Sequence, residues 1–175
     1  MQAMQGDQAN FLLHGVFLDL LQRESATTKR VIEAIPAGKG DYRPDPNAMS
    51  AMELAWHIAS AEMRFLNAVI NGEFDFSPAE KPEASKNPQA LAAWYAENFQ
   101  QRIDKVAALS GDQLAKPVDF RGMFQMPAVM YLSFSNNHGV HHRGQLSTYL
   151  RPMGGKVPAI YGESYDSKAA KQAAG

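Results

Sequence analysis

The chain has 175 residues, of which 45% are hydrophobic and 20% charged, and its formal net charge is −1. This length and composition predict a single domain over residues 1–175 with a substantial core, and the near-neutral charge argues against nucleic acid or an anionic membrane as a partner. The absence of cysteine excludes disulfides, a thiolate nucleophile and cysteine metal sites, so any metal ligands are His, Asp or Glu.

The two ends of the chain carry little structural signal. The first ten residues lack the basic and apolar regions of a secretory signal, and no apolar run approaches the length of a membrane span. We therefore expect a cytoplasmic protein, with no membrane partner and with flexible ends at about 1–8 and 166–175.

The first half of the chain predicts two helices. Helix one runs from Phe11 to about Ile35, and its seam is spaced alternately by four and three residues: His14, Leu18, Leu21, Ser25, Thr28 and Ile32. Helix two begins at Ser50, where Ser50-Ala-Met-Glu53 fits a capping box, and it ends at Asn71-Gly72. His57 lies one turn after Glu53 and beside the predicted apolar face.

The second half predicts two more helices and a weak hairpin. Residues 73–86 form a long connection without apolar periodicity, and helix three then begins at Asn87-Pro88, a cap followed by a proline. Residues 118–126 alternate weakly, as in a short hairpin, and helix four runs from Pro127 to Leu150 or Arg151. These patterns predict an all-α four-helix bundle, with a long crossover between helices two and three.

Helix four contains two histidines that lie on one face. His138 and His142 are one turn apart, and four other residues fall within roughly 40° of His138 on a helical wheel: Tyr131, Phe134, Gln145 and Tyr149. Two imidazoles on a buried stripe both need partners. A shared metal ion takes a lone pair from each ring; the alternative is two core histidines bonded to backbone carbonyls.

Three segments together resemble a known family. Helix two reads Ser50-Ala-Met-Glu53-Leu-Ala-Trp-His57, helix four reads His138-Gly-Val-His-His142-Arg143-Gly-Gln145, and the chain closes with Pro152-Met-Gly-Gly155 and Pro158-Ala-Ile-Tyr161-Gly162. From helix one to Gly162 the sequence resembles the DinB-like, also called YfiT-like, metalloenzyme superfamily. The resemblance implies a four-helix bundle with a left-handed, non-sequential crossover, a divalent metal held by His57, His138 and His142, and frequent homodimers.

The resemblance also implies a range of reactions. Known members include transferases that use bacillithiol or mycothiol, and maleylpyruvate isomerase. We therefore expect a metal-dependent hydrolase or thiol-dependent S-transferase that acts on a small molecule, with any thiol arriving as a cosubstrate because the chain has no cysteine. Three imidazoles favour zinc or nickel and leave an open coordination position. The alternatives are a metal-binding or ligand-binding bundle without turnover, and a bundle that evolved for dimerisation.

Three residues are candidates for supporting roles beside the metal. Glu53 could orient the His57 ring or serve only in the capping box. Gln145 could bond a metal-bound water or form a hydrogen bond between helices. His14 could act as a proton shuttle, although its position on the seam of helix one favours core packing.

The other faces of helix four predict structural roles. Arg143 points roughly 140° away from His138 and is expected to anchor a loop or the C-terminal segment, whereas His141 is expected to be a neighbour of the metal and not a ligand. Apolar residues also lie well away from the histidine stripe: Val129, Leu132, Leu146 and Leu150. A helix that is apolar all round is either central in the bundle or covered by a second chain, and we favour a homodimer.

Overall fold

The computed structural model describes residues 3–173, which are mostly helical with one small sheet. The helices are α1 (Gly6–Leu12), α2 (Leu18–Glu33), α3 (Ala51–Asn71), α4 (Pro88–Ala107), α5 (Gly111–Ala115), α6 (Tyr131–Leu150) and α7 (Tyr165–Ala173), and the strands are β1 (Pro117–Phe120) and β2 (Phe124–Pro127). A π-helical turn, Leu13–Phe17, joins α1 to α2, and 3₁₀ turns occupy Glu83–Lys86 and Ala128–Met130. None of the described helices is long and apolar enough to cross a membrane.

The first helical segment differs from the predicted one. It begins at Gly6, within the end that was expected to be flexible, and its π turn is closed by a hydrogen bond from the Leu18 amide to the Leu13 carbonyl. The wider turn accommodates an extra residue and shifts the buried face, so that Leu13 and Phe17 are buried while His14 is exposed. The core position predicted for His14 is therefore wrong, whereas the seam from Leu21 onward is buried as expected.

The predicted start and end of α3 and the predicted start of α4 are confirmed by their caps. Ser50 Oγ accepts a hydrogen bond from the Glu53 amide at 3.2 Å, and the Glu53 carboxylate accepts one from the Ser50 amide at 2.8 Å. The helix ends at Gly72, whose φ of 74° is readily available only to glycine. The side chain of Asn87 caps α4 immediately before Pro88.

The four long helices pack around one apolar core. Helix α3 packs against α4 and α6, and α2 packs against the same two helices from the other side. The connection over residues 73–86 thus joins α3 to α4, two helices in contact, and the expected crossover there is not confirmed. Two pairs of consecutive long helices instead make little contact with each other: α2 with α3, and α4 with α6.

The hairpin is confirmed, whereas the C-terminal tail differs from the prediction. Strands β1 and β2 are antiparallel, with Val118 opposite Met126. Where a flexible tail was expected, α7 is present, and the Asp166 carboxylate accepts hydrogen bonds from the Val157 amide and the Arg151 guanidinium. These two bonds hold the start of α7 against the segment that follows α6. Residues 1–2 and 174–175 lie outside the described part of the chain.

The apolar residues of α6 that lie away from the histidine face are buried within the single chain. The four residues that motivated the homodimer have no exposed surface in the single chain: Val129, Leu132, Leu146 and Leu150. Helix α6 is therefore covered on this side by its own fold, and the homodimer stays a prediction.

Candidate metal centre

The three predicted histidines meet between α3 and α6. The Nε2 atom of His57 lies 3.1 Å from Nε2 of His138 and 3.3 Å from Nε2 of His142. One ring nitrogen from each residue falls within 4.8 Å of the other two, and all three side chains are half-buried. Because α3 and α6 lie side by side, one histidine from α3 faces two from successive turns of α6.

The spacing of these nitrogens fits a shared ion. Two imidazole nitrogens bound to one tetrahedral zinc ion, each at about 2.0–2.1 Å, lie about 3.3 Å apart. The observed separations of 3.1 and 3.3 Å match this value. Since no carboxylate belongs to the cluster, the three donors are neutral and leave at least one coordination position for another molecule.

Gln145 fixes the tautomer of the His142 ring. Its Oε1 atom lies 3.1 Å from Nδ1 of His142, and its amide nitrogen donates to the hydroxyl of Tyr149 at 3.3 Å. A carbonyl oxygen can only accept, so Nδ1 of His142 carries the proton and Nε2 presents its lone pair to the cluster. Gln145 thus acts within its own helix, and the expected bond between helices is not formed.

The electrostatics of the site lower the pKa values of His57 and His138. Burial lowers the pKa of His138 to about 4, with further contributions from the neighbouring His142, His57 and His141. Burial also lowers the pKa of His57, helped by His142 and by the positive charge of Arg64. Neutral rings at pH 7 are the form that binds metal, so no proton has to be displaced from these two residues.

The remaining candidates do not belong to the three-histidine cluster. The Glu53 carboxylate caps α3 and pairs with Arg43 at 2.8 Å, which lowers its pKa, so its structural role is the one observed. The exposed ring of His141 lies beside that of His142, with centroids 4.7 Å apart, and stands outside the three-histidine group. The exposed His14 belongs to the π turn between α1 and α2.

Arg143 anchors the C-terminal segment, as predicted. Its guanidinium is buried, donates to the Glu24 carbonyl at 3.0 Å and to the Thr28 hydroxyl at 3.2 Å, and forms an ion pair with the Glu24 carboxylate. It also donates to the Tyr161 hydroxyl at 2.7 Å. Arg143 directly follows His142, so this network fixes the helix that carries two of the clustered histidines. The sequence contains no signal for its partner Glu24.

A second buried acid was missed by the sequence analysis. Glu62 lies on the inner face of α3 and accepts a 2.5 Å hydrogen bond from Tyr95 of α4. Burial raises the pKa of Glu62 to about 7, against the opposing effects of Tyr95 and Arg143. Its position one turn after the buried Ile58 was the available signal, because a glutamate there has to be buried with a partner.

An aromatic cluster borders the metal centre on the side of His138. The Phe65 ring lies 6.1 Å from the His138 ring and 5.7 Å from Phe74, which in turn contacts the ring of Tyr131. One turn before His138, Phe134 keeps 44% of its surface exposed. The His138 side of the cluster is therefore lined by an aromatic ring, that of Phe65.

The fold and the site define a mostly helical protein with a three-histidine cluster that could hold a metal ion. The model of the DinB family matches residues 4–173. The chain therefore belongs to the DinB family, as the motifs on α3 and α6 indicate.

Two bacterial proteins are similar in sequence to this chain. The chain is 27% identical over 129 residues to the uncharacterized protein YjoA of Bacillus subtilis, covering 73% of this chain and 82% of the relative. It is 29% identical over 157 residues to the uncharacterized protein YrdA of the same organism, with coverages of 87% and 90%.

Two solved structures share the fold. The DinB-like protein YjoA from B. subtilis gives a TM-score of 0.69 at 24% identity, over 84% of this chain and 99% of the other. A DinB-like protein from Bacillus cereus gives 0.70 at 23% identity, with coverages of 83% and 95%.

Proposed function

We propose that this protein is a metal-dependent enzyme whose centre is a divalent ion bound by His57, His138 and His142. The observation that carries the proposal is the convergence of three Nε2 atoms at separations suited to one ion. Zinc or nickel suits three imidazole ligands. A structural zinc site would be closed by a fourth protein ligand, whereas three ligands are typical of catalytic sites.

The chain's own residues set up the site for chemistry. When bound, the metal supplies a Lewis acid that lowers the pKa of a coordinated water or thiol. Gln145 holds the proton on Nδ1 of His142, Arg143 fixes the adjoining turn of α6, and the Phe65 ring beside His138 limits the access of water. A small substrate binds beside this ring.

A thiol-dependent transfer is the reaction that we favour. The three-histidine cluster contains no carboxylate to serve as a general base for hydrolysis, and the capping role of Glu53 leaves its carboxylate engaged elsewhere. A thiol needs no such base once the metal has lowered its pKa. Because the chain lacks cysteine, the thiol is a cosubstrate. The second candidate is a bundle that holds a metal or a small ligand without turnover.

Metal binding is tested by elemental analysis. Purified protein dialysed against metal-free buffer should retain about one zinc or nickel ion per chain, and His138→Ala should lose it while keeping its helical circular dichroism. His141→Ala is the matched control, since His141 is adjacent but outside the cluster. Equal metal content in His138→Ala and wild-type protein would refute the site.

Turnover is tested separately. Metal-loaded protein is incubated with a low-molecular-weight thiol and an electrophilic acceptor, and loss of free thiol is followed over time. The expected result is consumption that depends on protein and metal and disappears in His138→Ala. Full metal occupancy without consumption of any thiol tested, and without hydrolysis, would favour the binding protein.

For the architecture, we propose that α2, α3, α4 and α6 form a four-helix bundle of the family's type, with non-sequential neighbours. The contacts of α2 and α3 with both α4 and α6 support this arrangement. We also propose that the chain forms a homodimer, by analogy with the family. A monomer mass in light scattering at micromolar concentration would rule the dimer out.

A further inference from the structure

A cavity of about 370 Å³ lies between α3, α4 and the connection that follows α3. Ser60 and Arg64 line it, and they follow His57 by one and two turns of α3. Both lie within roughly 60° of His57 around the helix axis, so the cavity adjoins the face that carries this histidine. Its volume falls within the range of small-molecule sites, roughly 300–1,000 Å³.

Arg64 brings one positive charge to the cavity that no short ion pair engages. Hydrogen bonds from Ser77 lower the pKa of the exposed Asp75 carboxylate, which is near enough for the Arg64 charge to help lower it. Its Nε donates to the Asp75 carbonyl at 3.0 Å, and its Nη2 donates to the Ser77 carbonyl at 2.9 Å. Both acceptors are neutral backbone oxygens. Within residues 3–173, no carboxylate lies at ion-pair distance from this guanidinium, and its Nη1 has no hydrogen bond.

Arg102 of α4 brings a second such charge from the opposite wall. Its Nε donates to Asn67 Oδ1 at 2.9 Å, and its Nη1 donates to the carbonyl and side-chain oxygens of Asn98 at 3.0 and 2.9 Å. Every acceptor is again neutral, and burial lowers the pKa of Arg102. A partly desolvated charge without a counter-ion is unfavourable, so this arrangement has capacity for an anion.

Two tryptophans supply the apolar part of the cavity. Trp56 of α3 and Trp94 of α4 both line it, and their ring centroids are 5.4 Å apart. Flat apolar walls with a few convergent polar groups are typical of ligand pockets. A ligand that fits has an unsaturated or apolar body and an anionic end.

Three carboxylates stand at the rim, on the connection after α3: Glu73, Asp75 and Glu80. All three residues are exposed, so solvent and salt screen their repulsion of an anion. The Asp75 carboxylate is in addition engaged by the Ser77 amide at 2.8 Å. Arg64 and Arg102 are half-buried and act at shorter range and in a lower dielectric.

We propose that this cavity binds a small carboxylate-bearing molecule, with its carboxylate between Arg64 and Arg102 and its body against Trp56 and Trp94. The binding of such a molecule does not depend on the proposed function. Only one use of the cavity rests on that function, namely to hold the anionic end of a substrate at the metal. Arginine suits this role because its planar fork donates two parallel hydrogen bonds to a carboxylate.

The protein carries its own reporter for the test, because the sequence contains only two tryptophans and both line the cavity. Benzoate is titrated at constant ionic strength while tryptophan fluorescence is recorded, and benzamide serves as the neutral probe of the same shape. Benzoate should give a saturable change with an affinity about tenfold or more above that of benzamide. Equal affinities, or no saturable change with benzoate, would overturn the proposal.

A pair of variants locates the site. Arg102→Gln should weaken benzoate binding by roughly tenfold or more, which corresponds to one charge-assisted hydrogen bond. Arg23→Gln makes the same change on the exposed face of α2 and should leave the affinity as in wild-type protein. Equal affinities in the two variants would overturn the proposal. If Arg102→Gln loses its helical circular dichroism, the comparison of benzoate with benzamide on wild-type protein decides alone.

The same titration on metal-stripped protein separates the two proposals. Saturable benzoate binding without metal supports the cavity whether or not the metal centre is catalytic. Binding that vanishes with the metal would place the carboxylate on the ion and would refute the site between the two arginines.

Discussion

The most informative perturbation of this fold is the removal of the Arg143 guanidinium. Arg143 is 1% exposed and joins α6 to the Glu24 carboxylate and carbonyl, to Thr28 and to Tyr161. In Arg143→Met the volume is nearly conserved, but these acceptors lose their donor and the Glu24 carboxylate, 15% exposed, loses its counter-charge.

The expected cost follows from this burial. Removing one partner of a buried ion pair costs about 3–5 kcal/mol, because the other charge is left uncompensated. The separate hydrogen bonds are part of this cost and are not added to it. At roughly 2–4 °C per kcal/mol for a chain of this size, the melting temperature should fall by about 6–20 °C.

Arg151→Met is the matched control, because Arg151 is 55% exposed and pairs with Asp166 across solvent. Exposed pairs contribute little, so this variant should lose only a small fraction of what Arg143→Met loses. Both are measured by urea unfolding of metal-free protein at pH 7. A loss below 1 kcal/mol for Arg143→Met, or equal losses in the two variants, would refute the assignment of stability to the buried pair. Adding Glu24→Gln to Arg143→Met should recover part of the loss.

Three further predictions concern the site and its surroundings. Gln145→Ala should weaken metal affinity by about 10–100-fold, measured by competition with a chelator, since the His142 ring loses the acceptor that orients it; unchanged affinity would exclude that role. Glu62 has a pKa of about 7 in the fold and a lower one when unfolded, so its contribution to stability is fully present at low pH and is lost as the pH rises through 7. Glu62→Gln retains an acceptor for Tyr95 and should therefore raise the free energy of unfolding at pH 8 by about 1–3 kcal/mol, but not at pH 4. An effect that does not depend on pH would contradict the assignment. Chelation should lower the melting temperature at pH 7 without unfolding the chain. The free energy of unfolding should fall by about 2.7 kcal/mol if free metal had been at 100 times its dissociation constant. Identical melting temperatures with the metal removed would mean that the ion does not stabilise the fold.

The sequence by itself determined the features that depend on neighbours along the chain. The cap formed by Ser50 and Glu53, the cap at Asn87 and the left-handed Gly72 all act within a few residues, so their residue types predict the helix ends. The spacing of His138 and His142 on one helix likewise fixes their common face. His57 required more, because its approach to the other two was implied by the family motif and not by spacing.

The tertiary structure alone decided the features that depend on how the helices meet. The π turn at Leu13–Phe17 exposes His14 and buries its neighbours, and one extra residue in a turn leaves no mark in a helical repeat. The partners of Arg143 and Glu62 lie on other helices, and the two arginines of the cavity come from α3 and α4. Such pairings depend on the rotation and separation of packed helices, which are set by the whole core and not by any local stretch of sequence.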